Sequence, residues 1–191
     1  MLGGDANAFE ALYDRRQGGI YRYALRMTGS ESIAEDVTQE VFLSLMRDRS
    51  DYQASRGSVK SYLYGMARHR LLRLLDREKA LVSFDGTGSA AEDAAHDDLR
   101  SPHDPFVDLA RDEVIDLVRQ AILALPAHFR EVIVLCHLQE MNYADAAEVI
   151  NCPIGTVRSR LARARTLLGS KLGMLKASAG AFTNINAGRA I

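Results

Sequence analysis

Arg158, Arg160, Arg163 and Arg165 fall within eight residues, beside Thr156 and Ser159. Guanidinium groups at that density suit one chemistry above others: bidentate grip on guanine edges and charge-assisted contact to phosphate. Just upstream, Asn142 to Ile150 reads as a short helix with small Ala146 and Ala147, and Asn151-Cys152-Pro153 reads as a tight turn. A helix, a tight turn and a basic second helix make the form of a helix-turn-helix, whose second helix enters a DNA major groove. Base edges are read mainly from the N-terminal half of such a helix, which favours Arg158 and Ser159, while later arginines hold phosphate. The free N–H groups of Ile154-Gly155-Thr156 suit a phosphate oxygen. Ile154, Val157, Leu161, Ala164 and Leu168 recur on one face and are predicted to pack inward.

A second basic segment carries Arg56, Lys60, Arg68, Arg70, Arg73 and Arg77, with Tyr62 and Tyr64 interleaved. Such a basic block suits phosphate contact, and the interleaved rings offer aromatic faces. Tyr62 also reads as a packing residue. A third group, Asp36, Gln39 and Glu40, spans about one and a half helical turns and can share an exposed face. On the residues alone, that group reads first as a solvated face with Glu35 and Asp36 near a helix N-terminus.

Catalytic chemistry finds little support. There is no Gly-rich phosphate loop with Lys-Ser/Thr, and no carboxylate cluster of the kind metal catalysis uses. Cys136 and Cys152, near His128 and His137, match no zinc spacing and read as small buried residues. No cofactor and no metal are expected. Two cysteines without a basic-then-apolar leader suggest reduced thiols and a cytoplasmic setting. No apolar run approaches the roughly 18 residues of a bilayer span, so no membrane insertion is expected.

The formal net charge is −1 over 191 residues, low for a nucleic-acid binder until its distribution is read. Residues 154–191 hold seven Lys/Arg and no Asp/Glu, and residues 56–79 hold seven positives against two negatives. Between them, residues 80–113 hold nine Asp/Glu against two Arg. Phosphate contact needs such basic blocks, because neutralising phosphates releases counterions.

The elements that position these groups are all helical. Phe9, Leu12, Tyr13, Ile20, Tyr23, Ala24 and Met27 recur at three- and four-residue spacing, with a break predicted near Gly18-Gly19. Ser32 with Glu35 reads as the cap of a helix carrying Ile33, Val37, Val41 and Leu45. Ser58 caps a third helix, with Tyr62, Met66, Leu72 and Leu75 predicted inward. Composition then shifts to Gly, Ser, Ala and Asp. Helical periodicity resumes with Val114, Leu117, Val118, Ala121, Ile122 and Leu125. Pro126 starts the next helix, whose buried face is Phe129, Val132, Ile133, Leu135 and Leu138. The fold class is all-α: two small helical domains, 1–79 and 107–172, joined by a flexible acidic linker over 80–106, with a C-terminal tail at 173–191 that has no strong period.

Cys152 to Arg165 strongly resembles region 4 of bacterial sigma factors of the extracytoplasmic-function group in the sigma-70 family. Leu125 to Val132 looks like the start of the same domain. Ala34-Glu35-Asp36-Val37-Thr38-Gln39-Glu40-Val41-Phe42 and Tyr62-Leu63-Tyr64-Gly65-Met66-Ala67-Arg68 are similar to the family's region 2. The two resemblances run in the family's order over about 7–79 and 107–172.

The resemblance implies a non-enzymatic factor that binds core RNA polymerase, directs it to promoters and promotes melting. It places Asp36, Gln39 and Glu40 against the β′ clamp coiled coil, with the β flap as a further polymerase contact. It places Arg56, Lys60, Tyr62, Arg68, His69 and Arg73 at the −10 element, and Tyr143, Thr156, Arg158, Ser159, Arg160, Arg163 and Arg165 at the −35 element. His69 departs from the Asn common in the family, and Ala162 stands where a larger side chain occurs. The resemblance also implies an anti-sigma factor as partner, and a linker whose acidic groups either lie on polymerase channel walls or act as a spacer. A stand-alone helix-turn-helix regulator is the alternative; it leaves the N-terminal domain without a purpose.

Overall fold

The computed structural model describes the course of residues 6–47, 52, 57–85 and 105–187. Among the described residues seven α-helices follow one another: α1 (Ala6–Thr28), α2 (Glu31–Arg47), α3 (Val59–Asp85), α4 (Pro105–Leu123), α5 (Ala127–Ile133), α6 (Tyr143–Ile150) and α7 (Ile154–Ala187). A π-helical turn, Val134–Leu138, continues α5.

Helices α1 to α3 form the N-terminal unit. Ile20, Tyr23, Ala24 and Met27 of α1 are buried against Val37, Val41, Phe42 and Leu45 of α2. Phe9, Leu12, Tyr13 and Ile33 pack at the edge of this core. The chain does not break at Gly18-Gly19, for α1 is continuous through them. Gly19 instead allows close approach: a Cβ there would stand 2.9 Å from the Tyr64 hydroxyl. The stop lies at Gly29, whose φ of +76° suits the left-handed end of a helix. The cap of α2 is Ser30 rather than Ser32, its Oγ accepting from the Ile33 N–H at 3.4 Å. Ser58 caps α3 as predicted, accepting from the Ser61 N–H at 3.0 Å.

The inward stripe of α3 is Leu63, Tyr64, Ala67 and Leu71, in place of the Tyr62, Met66, Leu72 and Leu75 read in sequence. Tyr62 and Met66 flank it, and Leu72 is exposed. Small Ala67 conceals the true stripe, because a methyl group marks a core position weakly while lending close helix approach. The α3 helix also runs to Asp85, beyond residue 79.

Helices α4 to α7 form the C-terminal unit. Ala121, Ile122 and Leu125 are buried, whereas Val114 is exposed. Pro126 stands at the N-cap of α5, its carbonyl accepting from the Phe129 and Arg130 N–H groups. Val132 to Leu135 are buried; the π-helical turn then widens the spiral and turns Leu138 outward. Asn142 caps α6 by accepting from the Asp145 N–H at 2.8 Å, and its amide donates back to the Asp145 carboxylate at 3.0 Å. Asn151, with φ +56°, ends the helix, and the Cys152 N–H reaches the Ala147 carbonyl at 3.0 Å. That is a Schellman closure, with Pro153 preventing further helix. It sets the angle at which α7 leaves. Val157, Leu161 and Ala164 of α7 pack on this frame, while Ile154 is exposed at the helix start. Helix α7 continues through the segment read as a tail, as far as Ala187.

The two units are not separate. One apolar cluster runs from Ile20 and Leu63 through Ile122 and Val132 to Leu161. The 80–106 linker falls mostly outside the described residues, so the union is made by side chains.

Candidate nucleic-acid interface

Helix α7 presents its polar residues in adjacent rows. Arg158, Ala162 and Arg165 fall at i, i+4 and i+7, and Ser159, Arg163 and Thr166 form the next row. All six are exposed, opposite the buried Val157–Leu161–Ala164 stripe. The Arg158 guanidinium lies over the Tyr143 ring, 5.9 Å from its centroid, which limits the rotamers it samples. Ser159 Oγ donates to the Thr156 carbonyl at 3.1 Å. Arg165 Nε–H donates to His137 Nε2 at 3.1 Å. Burial and the Arg165 charge push the His137 pKa below its ordinary value, keeping this nitrogen free to accept. Arg160 and Thr156 are half-buried at the edge of the stripe. The structure therefore gathers all seven residues singled out on this unit along α7 and at the start of α6.

The basic helix α3 is divided instead of forming one groove. Tyr62, His69 and Arg73 fall at i, i+7 and i+11, one stripe of the helix. His69 and Arg73 are exposed, and Tyr62 is half-buried with its ring 5.4 Å from that of Tyr52. Lys60 and Arg68 are turned onto the C-terminal unit. Lys60 Nζ donates to the Gln139 carbonyl at 3.0 Å, and Arg68 Nε donates to Glu131 Oε1 at 2.7 Å. Arg70 turns the other way and pairs with Glu40 of α2. Arg56 lies outside the described residues.

On α2, Asp36 and Gln39 are exposed while Glu40 is half-buried. Glu40 bridges Arg70 and Arg47, the latter at 2.8 Å. It is thus a structural carboxylate as well as a surface one. A cleft between α2 and α3 is lined by Asp36, Gln39, Glu40, Arg70 and Arg73. Sequence reasoning missed Leu43 and Met46, both exposed and in line with Asp36 and Gln39 at i+7 and i+10. The signal was available, since both fall off the Val37–Val41–Leu45 stripe. Polar groups around an exposed apolar centre are the make-up of a protein-binding surface.

Sequence reasoning also missed the polar seam between the units. Glu131 is buried and accepts from Arg68 and from the Tyr23 hydroxyl, the latter at 3.3 Å. Burial first, then the Glu131 charge, drive the Tyr23 pKa well above its ordinary range. Tyr64 donates to Gln139 Oε1 at 2.7 Å, and burial raises its pKa to about 12. Arg130 gathers the carbonyls of Met27, Leu123 and Leu125, at the C-terminal ends of α1 and α4. No helix among the described residues is long and apolar enough to cross a membrane.

Comparison with known proteins follows this geometry. The family model for Sigma-70 region 2 matches residues 12–81, and that for Sigma-70, region 4 matches residues 115–168. The chain is 32% identical over 174 residues to the RNA polymerase sigma-H factor of Pseudomonas aeruginosa, covering 88% of each chain. It is 33% identical over 165 residues to the ECF RNA polymerase sigma factor SigC of Mycobacterium tuberculosis, covering 86% of this chain and 83% of that one. With the ECF RNA polymerase sigma factor SigW of Bacillus subtilis it shares 29% identity over 174 residues, 88% of this chain and 91% of that one. Its fold resembles that of the sigma factor RpoE solved in complex with the anti-sigma factor NepR from Bartonella quintana. The TM-score is 0.73 at 22% identity, covering 88% of this chain and 98% of that one. It also resembles CnrH solved with the cytosolic domain of CnrY, with a TM-score of 0.66 at 21% identity over 91% and 92% of the two chains.

Proposed function

The chain belongs to the sigma-70 family, in its extracytoplasmic-function group, and from that membership we propose how its surfaces divide the work. The protein is an alternative sigma factor: it binds core RNA polymerase, brings it to promoters and promotes DNA melting. The observation that carries this reading is the presence of both region 2 and region 4 in order on one chain. Catalysis of RNA synthesis belongs to the polymerase, and this chain contributes recognition.

The −35 element is read by α7. Arg158, Ser159 and Arg163 face base edges, Arg165 and Tyr143 hold phosphate, Arg160 and Thr156 border the contact, and the Tyr143 ring also steadies Arg158. The −10 strand is taken by Tyr62, His69 and Arg73 on α3, completed by Arg56, Lys60 and Arg68. His69 offers one donor and one acceptor when neutral, against the two donors and carbonyl of a carboxamide, so its base preference differs from the family's common Asn. The polymerase is met by Asp36, Gln39 and Glu40 of α2, with Leu43 and Met46 as the apolar centre of the same surface. By likeness to solved complexes, an anti-sigma factor holds the protein inactive.

Run-off transcription with purified core polymerase and a library of promoter fragments tests this reading. The expected result is a distinct subset of transcripts that is absent without the protein. No transcripts together with no binding to core would overturn it.

A further inference from the structure

The turn after α5 carries a group that the reading of α7 leaves unused. His137 lies in the π-helical turn Val134–Leu138, twenty-eight positions before the arginine it meets, and is exposed. Arg165 Nε–H donates to His137 Nε2 at 3.1 Å, so the ring is neutral and its own proton sits on Nδ1. That bond uses one of the guanidinium donors and leaves the terminal N–H groups of Arg165 for phosphate. Arg165 stands about 16 Å along α7 from Ile154, where an arginine meets backbone in preference to base edges. Among the described residues, Arg165 is the one charged group that acts on the ring. Glu131 and Arg130 of α5 are engaged in the seam, and Arg16 and Arg22 of α1 act on Tyr64. Asp145 of α6 is held by the Asn142 amide, and Glu148 of α6 lies at Gly57. Cys136, in the same turn, is a neutral thiol because burial raises its pKa. No carboxylate competes for the imidazole, Glu140 just beyond the turn included.

We propose that His137 is a proton-linked phosphate ligand of the −35 surface: when a duplex phosphate settles on Arg165, the imidazole takes up a proton and donates its Nε2–H to the same phosphate. The proton comes from solvent, the Arg165–His137 bond gives way, and two cations then face one phosphate. This deepens the −35 reading above and rests on Arg165 holding phosphate. The bond that is lost joins two exposed groups and is worth little beside a new phosphate contact. In the free protein, burial and the Arg165 charge hold the His137 pKa below its ordinary value. A phosphate beside the ring favours the imidazolium, so the bound value lies above the free one. Duplex affinity therefore rises as pH falls through the bound value and levels off below the free value. Each pKa unit between the two is worth about tenfold in affinity. The protonated ring also adds a phosphate contact, which steepens the logarithmic salt dependence by about 0.9.

The test titrates a fluorescein-labelled, mixed-sequence duplex of about 20 bp with the intact chain from about pH 5.5 to about pH 8, at several salt concentrations. Wild-type binding is expected to tighten about tenfold toward the acid end, with a salt slope steeper there by about 0.9. His137→Gln keeps a neutral acceptor and should lose both effects. His137→Lys carries the charge throughout and should show the acid-end affinity and slope across the whole range. His128→Gln removes an exposed histidine of α5 and should keep the wild-type profile. Histidine-ring NMR should place the His137 pKa higher with duplex than without. A flat wild-type profile, a pH dependence undiminished in His137→Gln, or a His137 pKa that duplex leaves unmoved would each overturn the proposal. Arg165→Ala keeps the two readings apart. Weaker binding by Arg165→Ala at every pH, together with any of those outcomes, removes the role of His137 alone. Unchanged binding removes Arg165 from the phosphate contact and the proposal with it.

Discussion

Arg158 is an exposed cation held over an aromatic ring at the start of a helix whose other face is buried. Its substitution should therefore alter recognition without altering the fold. Arg158→Ala is expected to lose about 1–3 kcal/mol of discrimination at one −35 base pair, the range for a bidentate arginine–base contact. Duplexes with single base-pair changes, titrated against mutant and wild type, would show it as flattened selectivity at that position; unchanged selectivity removes Arg158 from the reading set. Tyr64 gives a pH-dependent counterpart. Its folded pKa is raised to about 12 by burial, above the ordinary value near 10. The neutral phenol stabilises the fold below about pH 10, and that contribution is lost as pH rises through the folded value. Tyr64→Phe should thus melt less steeply with pH than wild type from about pH 10 upward, as read by thermal denaturation across that window. Parallel slopes would mean that the Tyr64 phenol does not titrate above its ordinary value. Glu40 shows the limit of reading a surface residue from sequence. Because it bridges Arg47 and Arg70, reversing its charge disturbs α2 and α3 as well as any partner. Asp36→Ala with Gln39→Ala is the cleaner probe of the polymerase face. It is expected to weaken core binding in a pull-down titration with the circular dichroism spectrum unchanged.

At the scale of elements, local chemistry decided most of what sequence could reveal. Asn142 with Asp145, Asn151 in the left-handed region and Pro153 are each legible as cap, stop and restart, and the structure builds the helix-turn-helix from them. Asn142→Ala is expected to cost about 1 kcal/mol, the usual worth of an N-cap, with a lower melting temperature and weaker duplex binding in proportion. Loss of binding far beyond that stability change would mean Asn142 touches DNA directly. Where sequence reading slipped, side-chain size or distance explains it. Ala67 hid the inward stripe of α3, and Gly18-Gly19 suggested a break although Gly19 serves contact with Tyr64, forty-five positions away. The π-helical turn carries Leu138 outward by adding a residue to the spiral, which no heptad-like pattern anticipates. The seven residues proposed for −35 recognition on the C-terminal unit lie within one motif, so the sequence could single them out and the structure gathers them along α6 and α7. Division of the α3 cations was not, since their partners Glu131 and Gln139 lie more than sixty positions later.

For the whole molecule, the decisive fact is that two units read as independent share one apolar cluster and a buried polar seam. Units tied only by a flexible segment unfold separately, each with the stability of its own small core. Units sharing a core lose their common surface together, so the intact protein is expected to show one calorimetric transition with matching calorimetric and van't Hoff enthalpies. Arg130 is the residue on which this coupling turns, since its guanidinium satisfies carbonyls at the ends of α1 and α4 at once. Burial lowers its pKa below the ordinary arginine value, yet it stays charged across the accessible pH range. Arg130→Met keeps most of the side-chain bulk while leaving those carbonyls bare, at about 1–3 kcal/mol for each that water cannot reach. The seam should fail before either core does. Arg130→Met is therefore expected to split the single transition into two, the earlier one sensitive to substitutions at Val132 or Leu161 and the later one to substitutions at Val41. A single transition merely shifted to lower temperature would place Arg130 within the C-terminal core and deny it a role in joining the units. Two transitions already present in the wild type would mean that the shared cluster contributes too little to couple them.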